Sequence, residues 1–531
     1  MPTRCFRRGA GRNPPVERSG FDVNFVQFLE TSALRYPDKT AMVMKERRLT
    51  YRELEDRVRR LSGALSAMGY RPGDRIALAA CNCLEYPEIV FACARLGVAA
   101  VLLNWRLPSR ELVRLLEHNR AQGVILKLAD PERERGLRDE LGGRIPVFHL
   151  DGTSGGRPYE ELLAGEPSSG PAACLTEDHI LMHLHTSGTT GSPKPVLYSH
   201  GSFSKQVLAY LYHMEMTASA VCQQMTQMFH SACVAMFGCL AAGATVIALD
   251  RFHMEEYLST IERERSTRLA LIPSILRQII AYPRLSDYDL SCVKEVAYST
   301  APMPPKLIQA AMKVLPCRYY TTYGMTEMGP IVTAMGAAEH RREELLNYVG
   351  KPIIGCDVKI VAKDGSICPP GTTGEIAVRG FGMMRGYLDM ERETRAAIRD
   401  GWFYTGDLGC LSEDGYLCLR GRRNHMIITG GENVYPCEVQ NALQAVCDEI
   451  SEIAVYGVPD DRWGEAVVAS VVLSPGADVD EEELRRRCRG RLAGYQIPKR
   501  IFIESDLPRN QVGKVLIKVL VDRYAQRMSE Q

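Results

Sequence analysis

Apolar runs of strand length alternate with amphipathic helical segments along most of the 531 residues, and this predicts an α/β fold built on parallel sheets. A stretch of short β-rich pieces between Gly and Asp turns predicts a small β-subdomain. Strand-like runs flanking a charged helical segment near the C-terminus predict a separate, smaller α+β domain of about a hundred residues. Length alone, at about 150 residues per unit, asks for three or four compact units.

The elements follow in order. Met1 to Arg12 carries four arginines and no acid, and no apolar core follows it, so residues 1–20 read as an unstructured tail rather than a secretory leader. Thr50-Tyr51-Arg52-Glu53 is a capping box, with Leu54, Val58, Leu61 and Leu65 on one helical face behind it and Gly69 at the end. Arg71-Pro72-Gly73-Asp74 turns the chain into the strand Ile76 to Ala80, and a second helix leads to the strand Val98 to Leu103. Strand, helix and strand at that spacing imply a parallel pair with a crossover. The alternation recurs around Tyr198 to Tyr212 and Met254 to Ser299. From Val358 to Leu419 the texture is β-rich, with turns at Asp364-Gly365 and Asp414-Gly415. After Arg422 come strands Ile453 to Val458 and Val467 to Leu473, a helix Glu481 to Leu492, and a strand Ile501 to Glu504.

Composition narrows the function. Lys+Arg 65 against Asp+Glu 64 gives a net charge of +1, which offers nucleic acid no electrostatic footing. The 17 cysteines are an odd number without a Cys-x-x-Cys pair and read as reduced, buried thiols of a cytoplasmic protein. Phe229 to Leu249 lacks any charged residue, but Gly238 and Gly243 break it and His230 lies inside it. It reads as a buried helix followed by the strand Thr245 to Leu249, so no stable membrane insertion is expected.

His185-Thr186-Ser187-Gly188-Thr189-Thr190-Gly191-Ser192-Pro193-Lys194 packs glycines, hydroxyls and a cation into ten residues, a composition suited to cradling phosphate. It is not the Gly-x-x-x-x-Gly-Lys-Ser/Thr loop, because prolines flank the lysine. Together with Tyr323-Gly324-Met325-Thr326-Glu327, Tyr404-Thr405-Gly406-Asp407, Gly421-Arg422 and Pro508-Arg509-Asn510-Gln511-Val512-Gly513-Lys514, in this order, it resembles the adenylate-forming enzymes over roughly residues 20 to 520.

The resemblance implies domains at 21–422, with the β-subdomain at about 350–420, and a mobile lid at 424–531. It implies that ATP and a carboxylic acid give acyl-AMP and pyrophosphate, with Mg²⁺ as the metal. By position, Lys514, Glu327, Thr326 and His230 take catalytic roles, and Glu327 holds the metal. ATP falls to Thr186, Ser187, Gly188, Thr189, Thr190, Gly191 and Lys194 in the loop, to Ser299, Thr300 and Ala301 beside adenine, and to Tyr323, Gly324, Thr326, Asp407 and Arg422. The chemistry fits these types: a carboxylate and a triphosphate are brought together only where cations and hydroxyls offset their charge, and an ionised Asp407 can accept from both ribose hydroxyls.

Met228-Phe229-His230 resembles the acyl-CoA synthetases, where amino-acid-activating relatives carry Asp to bind an ammonium, so an α-amino acid is disfavoured. Asn104-Trp105-Arg106-Leu107 and Thr429-Gly430-Gly431-Glu432-Asn433-Val434-Tyr435-Pro436 resemble fatty-acyl and aryl-CoA ligases. They place a pantetheine tunnel by Gly430, Gly431 and Trp463. Three positions depart from the family: Asn424 at the hinge, usually Asp or Lys; His425, usually acidic; and Pro195, usually Gly. The function expected is an AMP-forming carboxylic acid CoA ligase with ATP, Mg²⁺ and CoA. The alternatives are a stand-alone acyl-AMP ligase that loads a carrier protein, a luciferase-like oxidase, and a non-catalytic nucleotide-binding module. A homodimer stays open, and the sequence leaves the acid unspecified.

Overall fold

The computed structural model describes residues 24–150, 157–168, 172–186, 193–231, 233–300, 303–474, 476–509 and 514–529. The expected tail lies outside them. Two large mixed sheets, a five-stranded antiparallel sheet and a smaller C-terminal sheet organise the chain.

The capping box forms as read. Thr50 Oγ1 accepts from Glu53 N at 3.2 Å and Glu53 Oε2 accepts from Thr50 N at 2.7 Å, starting the helix Tyr51–Ala67. Leu54, Val58, Leu61 and Leu65 are its buried face, and Gly69 at φ +94° turns the chain away. This helix packs beside Glu85–Leu96, the crossover between the parallel strands Arg75–Ala80 and Ala99–Leu102. These strands lie at the centre of an eight-stranded sheet, and Ala100 and Val101 pair in parallel with Ile180–His185.

A second sheet of nine strands has its parallel centre at Val221–Gln224, Thr245–Ala248, Arg268–Leu271, Glu295–Tyr298 and Arg318–Met325. Neither sheet is wholly parallel. Each gains antiparallel edges because a short connection returns the chain directly: Gly329–Met335 folds back on Arg318–Met325, and Pro195–Ser199 folds back on Ile180–His185. One apolar core joins side chains of both sheets, with Phe25, Phe91, Phe203 and Phe237 meeting at ring-centroid distances of 5.1–6.0 Å.

The charge-free segment Phe229 to Leu249 becomes the buried helix Cys233–Ala241 and the strand Thr245–Ala248. No helix among the described residues is long and apolar enough to cross a membrane.

The β-rich stretch forms the antiparallel sheet Cys356–Val361, Gly374–Gly380, Trp402–Leu411, Ile398–Arg399 and Leu417–Arg422. Two pieces inside its expected span belong elsewhere: Lys351–Pro352 joins the nine-stranded sheet and Gly386–Tyr387 joins the eight-stranded one. The C-terminal sheet centres on Gly464–Leu473, antiparallel to Ile450–Asp460 and parallel to Arg500–Ile503. Its charged helix, Glu481–Cys488, starts where Asp480 accepts from Glu483 N at 2.8 Å. It stops four residues earlier than its composition suggests, because Arg489 is extended and Gly490 takes φ +89°.

Candidate active site

The segment expected to hold phosphate connects the antiparallel strands Ile180–His185 and Pro195–Ser199. Ser187, Gly188, Thr189, Thr190 and Gly191 lie outside the described residues, but the neck of the loop is defined: Thr186 N donates to Lys194 O at 3.1 Å, and Lys194 N donates to Thr186 Oγ1 at 3.2 Å. Pro195 is the first residue of its strand, where a missing N–H is tolerated, and its carbonyl accepts from Leu388 N.

Below the neck is a hydrogen-bonded chain that sequence reading missed. His185 Nδ1 donates to Leu102 O at 3.0 Å, so its Nε2 is the acceptor for Asn119 Nδ2 at 3.0 Å, and Asn119 Oδ1 accepts from His183 Nδ1 at 2.8 Å. Burial pushes His185 to about 4 and His183 to about 3, so both rings are neutral and their hydrogens fixed. Only the fold reveals this chain, since Asn119, at the C-terminal end of the helix Ser109–His118, is 64 residues from His183.

The turn between Arg318–Met325 and Gly329–Met335 brings the next group. A Cβ at Gly324 would lie 2.4 Å from the carbonyl carbon of Pro330 and 2.5 Å from Gly329 O, so only glycine lets the hairpin close. Thr326 is buried, and its carbonyl accepts from Tyr198 Oη at 2.7 Å. Glu327 Oε1 accepts from Tyr387 Oη at 2.9 Å, and Lys194 Nζ lies 5.0 Å from the centre of the Tyr387 ring. Burial raises the Glu327 carboxyl, opposed by the Tyr387 hydrogen bond and by Arg422 and Lys194. Tyr387 is a second residue that no sequence pattern flagged, on a two-residue strand far from Glu327 in the chain.

Tyr323 Oη donates to Asp407 Oδ2 at 2.6 Å, while Arg422 Nε lies 2.6 Å from Asp407 Oδ1. Asp407 and Arg422 are directly opposite in the antiparallel ladder, which brings the two motifs together. Asp407 N donates to Thr405 Oγ1, and Gly406 N donates to Glu375 Oε1. The other oxygen of Glu375 holds Arg423 at 2.9 Å, tying this turn to the short helical turn Arg423–His425 that contains Asn424.

Lys514 is exposed as a residue, yet its ammonium lies within reach of these charges: partial desolvation and Arg422 push it down, while Asp407 and Glu327 push it up. It also acts on His230, whose ring burial and the Lys514 charge lower to about 4. The structure thus gathers Lys194, Glu327, Asp407, Arg422, Lys514 and His230 around one site.

Ser299 and Thr300 follow the strand Glu295–Tyr298, while Ala301 lies outside the described residues. Thr300 takes φ +76°, which a β-branched residue adopts only under constraint, and Tyr298 Oη donates to His340 Nε2 at 2.9 Å. Gly430 and Gly431 form the tip of the hairpin Ile427–Thr429 and Glu432–Val434, both at positive φ. A Cβ at Gly430 would meet the Trp463 ring at 2.9 Å, and Gly430 N donates to Trp463 O at 2.8 Å. The indole explains Gly430 in this structure, and this hairpin shares no described hydrogen bond with the Asp407 cluster.

The family model described as AMP-binding enzyme matches residues 29–388, and that described as AMP-binding enzyme C-terminal domain matches residues 438–514. The chain is 35% identical over 485 residues to a feruloyl-CoA synthase of Amycolatopsis sp, covering 90% of this chain and 95% of that one. It is 34% identical over 499 residues to the indoleacetate–CoA ligase of Aromatoleum aromaticum, covering 92% and 96%. The crystal structure of ATP-bound MatB from Rhodopseudomonas palustris superposes with a TM-score of 0.86 at 26% identity, over 95% of this chain and 99% of that one. With two large α/β sheets, a smaller C-terminal domain and these matches, the chain belongs to the AMP-binding enzymes, the adenylate-forming superfamily, in its branch of AMP-forming acyl-CoA and aryl-CoA ligases.

Proposed function

We propose that this CoA ligase activates an aryl or other ring-bearing carboxylic acid, using the cluster of Lys514, Glu327, Asp407 and Arg422 as its adenylation site. The observation that carries the reading is the convergence of Lys514 with two carboxylates and an arginine contributed by distant motifs. The names of the feruloyl and indoleacetate relatives support an aryl acid. A neutral His230 supports the exclusion of an α-amino acid, because it supplies no countercharge for an ammonium.

Each residue then has a task. Thr186 and Lys194, with the loop between them, hold the departing phosphates. Tyr323 lies against adenine, with Ser299 and Thr300 at its rim. Asp407 accepts from the ribose hydroxyls on the lone pairs that Tyr323 and Arg422 leave free, since a carboxylate offers about four. Lys514 lies between the incoming carboxylate and the α-phosphate and offsets both charges as the acyl oxygen attacks phosphorus and pyrophosphate leaves.

Glu327 fits Mg²⁺: it is a half-buried carboxylate that shares Tyr387 with Lys194 at the neck of the loop, and a hard cation takes carboxylate oxygens. An ion held there would supply countercharge to phosphate oxygens. In the second half-reaction the CoA thiolate attacks the acyl carbon and AMP leaves, after the C-terminal domain turns about Asn424 and removes Lys514. Gly430, Gly431 and Trp463 then stand beside the pantetheine arm. An odd number of cysteines without a Cys-x-x-Cys pair supports a reducing, cytoplasmic setting.

The test is pyrophosphate release with ATP and Mg²⁺ over fatty, aryl, cyclic and amino acids, each with and without CoA. Multiple turnovers only with an aryl or cyclic acid plus CoA support the proposal. A fatty acid as the best substrate overturns the acid class. A single turnover despite CoA points to a carrier protein as acceptor.

A further inference from the structure

Three cysteines meet where the β-subdomain joins the C-terminal domain. Cys410 and Cys418 are directly opposite on the antiparallel strands Trp402–Leu411 and Leu417–Arg422. Opposed residues in such a ladder have Cα atoms about 4.5–5.5 Å apart, within the range a disulfide spans without backbone movement. Cys437, on the first turn of the helix Pro436–Val446, donates to Arg420 O at 2.7 Å, and its Sγ and that of Cys418 each lie 3.9 Å from Leu419 O.

The surroundings are polar. Arg420 reaches back to Glu438 at 3.5 Å, and its buried Nε has no hydrogen-bond partner among the described atoms. A buried guanidinium N–H with no acceptor favours an anion beside it. Elsewhere burial in apolar surroundings raises the thiols, as at Cys93, Cys233 and Cys356, each pushed up to about 12. Cys410 moves down and Cys418 moves up, because the two facing thiols act on each other with Arg420 close by. A facing dithiol beside a guanidinium sets this pair apart from the isolated structural thiols of the core.

We propose that Cys410 and Cys418 form a peroxide-responsive dithiol that closes to a cross-strand disulfide. The Cys410 thiolate attacks hydrogen peroxide: an S–O bond forms, the O–O bond breaks, and hydroxide leaves and takes a proton. The Cys418 sulfur then attacks the sulfenic sulfur, an S–S bond forms and water leaves. Two thiols give up two electrons and two protons, and one peroxide becomes two waters. The same ladder carries the Asp407–Arg422 pair, so the bond forms three rungs from the ribose-site residues.

The experiment treats the purified full-length protein with a stoichiometric amount of hydrogen peroxide, alkylates the remaining thiols in denaturant and maps the peptides without reduction. The expected result is a Cys410–Cys418 linked peptide as the main product, formed before the exposed Cys174 is modified and reversed by dithiothreitol. Cys418→Ser is expected to leave Cys410 as a sulfenic acid that dimedone traps. The proposal is overturned if both cysteines are fully alkylated after peroxide, or if the main linkage joins other thiols. Because the mapping is done first on the wild-type protein, a poorly folded variant does not protect the idea.

Discussion

Replacing Tyr323 with Phe keeps the ring proposed to face adenine and deletes only the hydroxyl that holds Asp407. That hydroxyl donates over 2.6 Å to a buried carboxylate, and burial and the Asp407 charge push its own pKa far above the working range, so it is always a donor. A hydrogen bond to a charged group contributes about 1.5–3 kcal/mol, and at about 1.4 kcal/mol per tenfold this is roughly 10- to 150-fold. Without it, Asp407 keeps Arg422 on one oxygen and is free to turn the other away from the proposed ribose position. The expectation is a KM for ATP raised at least about tenfold, with the KM for the acid little changed, read from initial rates of pyrophosphate release at saturating concentrations of the other substrate. An unchanged ATP dependence would remove Asp407 and Tyr323 from the ribose site. Equal losses for ATP and acid would mean that the variant disturbs the whole cleft.

Asn119→Ala leaves His183 Nδ1 and His185 Nε2 without their partner in a buried place, at about 1–3 kcal/mol each. A lowered melting temperature and a KM for ATP raised more than that for the acid are expected, and unaltered melting would contradict the role given to this chain. Acid lability follows from His183, lowered to about 3, and from His185, His200 and His230, each lowered to about 4. The unfolded chain binds these protons first, so stability is lost as pH falls below about 6.5, by up to about 1.4 kcal/mol per unit for each histidine. Glu88, held protonated up to about 7 by burial, works in the opposite sense by one such increment. A melting temperature that falls steeply between pH 6.5 and 5 is expected, and a flat profile would show that these rings are not neutral in the fold. Thr50→Ala removes one arm of the capping box and is expected to cost about 1 kcal/mol in denaturant unfolding, without changing turnover.

Much of this is legible in the sequence alone. The Thr50 capping box, the β-rich stretch and the alternation that makes parallel strands are local signals, and each formed where it was read. Boundaries were less legible: Lys351–Pro352 and Gly386–Tyr387 left the β-subdomain for sheets whose pairing no local pattern encodes. For the site, motif residues gathered because Asp407 and Arg422 share a ladder and the C-terminal domain carries Lys514 over them. The residues that hold those motifs were hidden. Tyr387, Glu375 and the His183–Asn119–His185 chain act through long-range contacts between ordinary residue types, which carry no spacing to read.

The central claim is that Lys514 serves the first half-reaction and not the second. Unit charges 4 Å apart at an effective dielectric constant of about 20 attract by about 4 kcal/mol, so deleting the ammonium is worth about 10³-fold where it faces two anions. The most direct measurement is Lys514→Ala assayed separately for pyrophosphate release from ATP and acid, and for thioester formation from supplied acyl-adenylate and CoA. The account predicts a loss of about 10³-fold in the first with the second largely spared. Parallel losses in both, or adenylation at the wild-type rate, would contradict it.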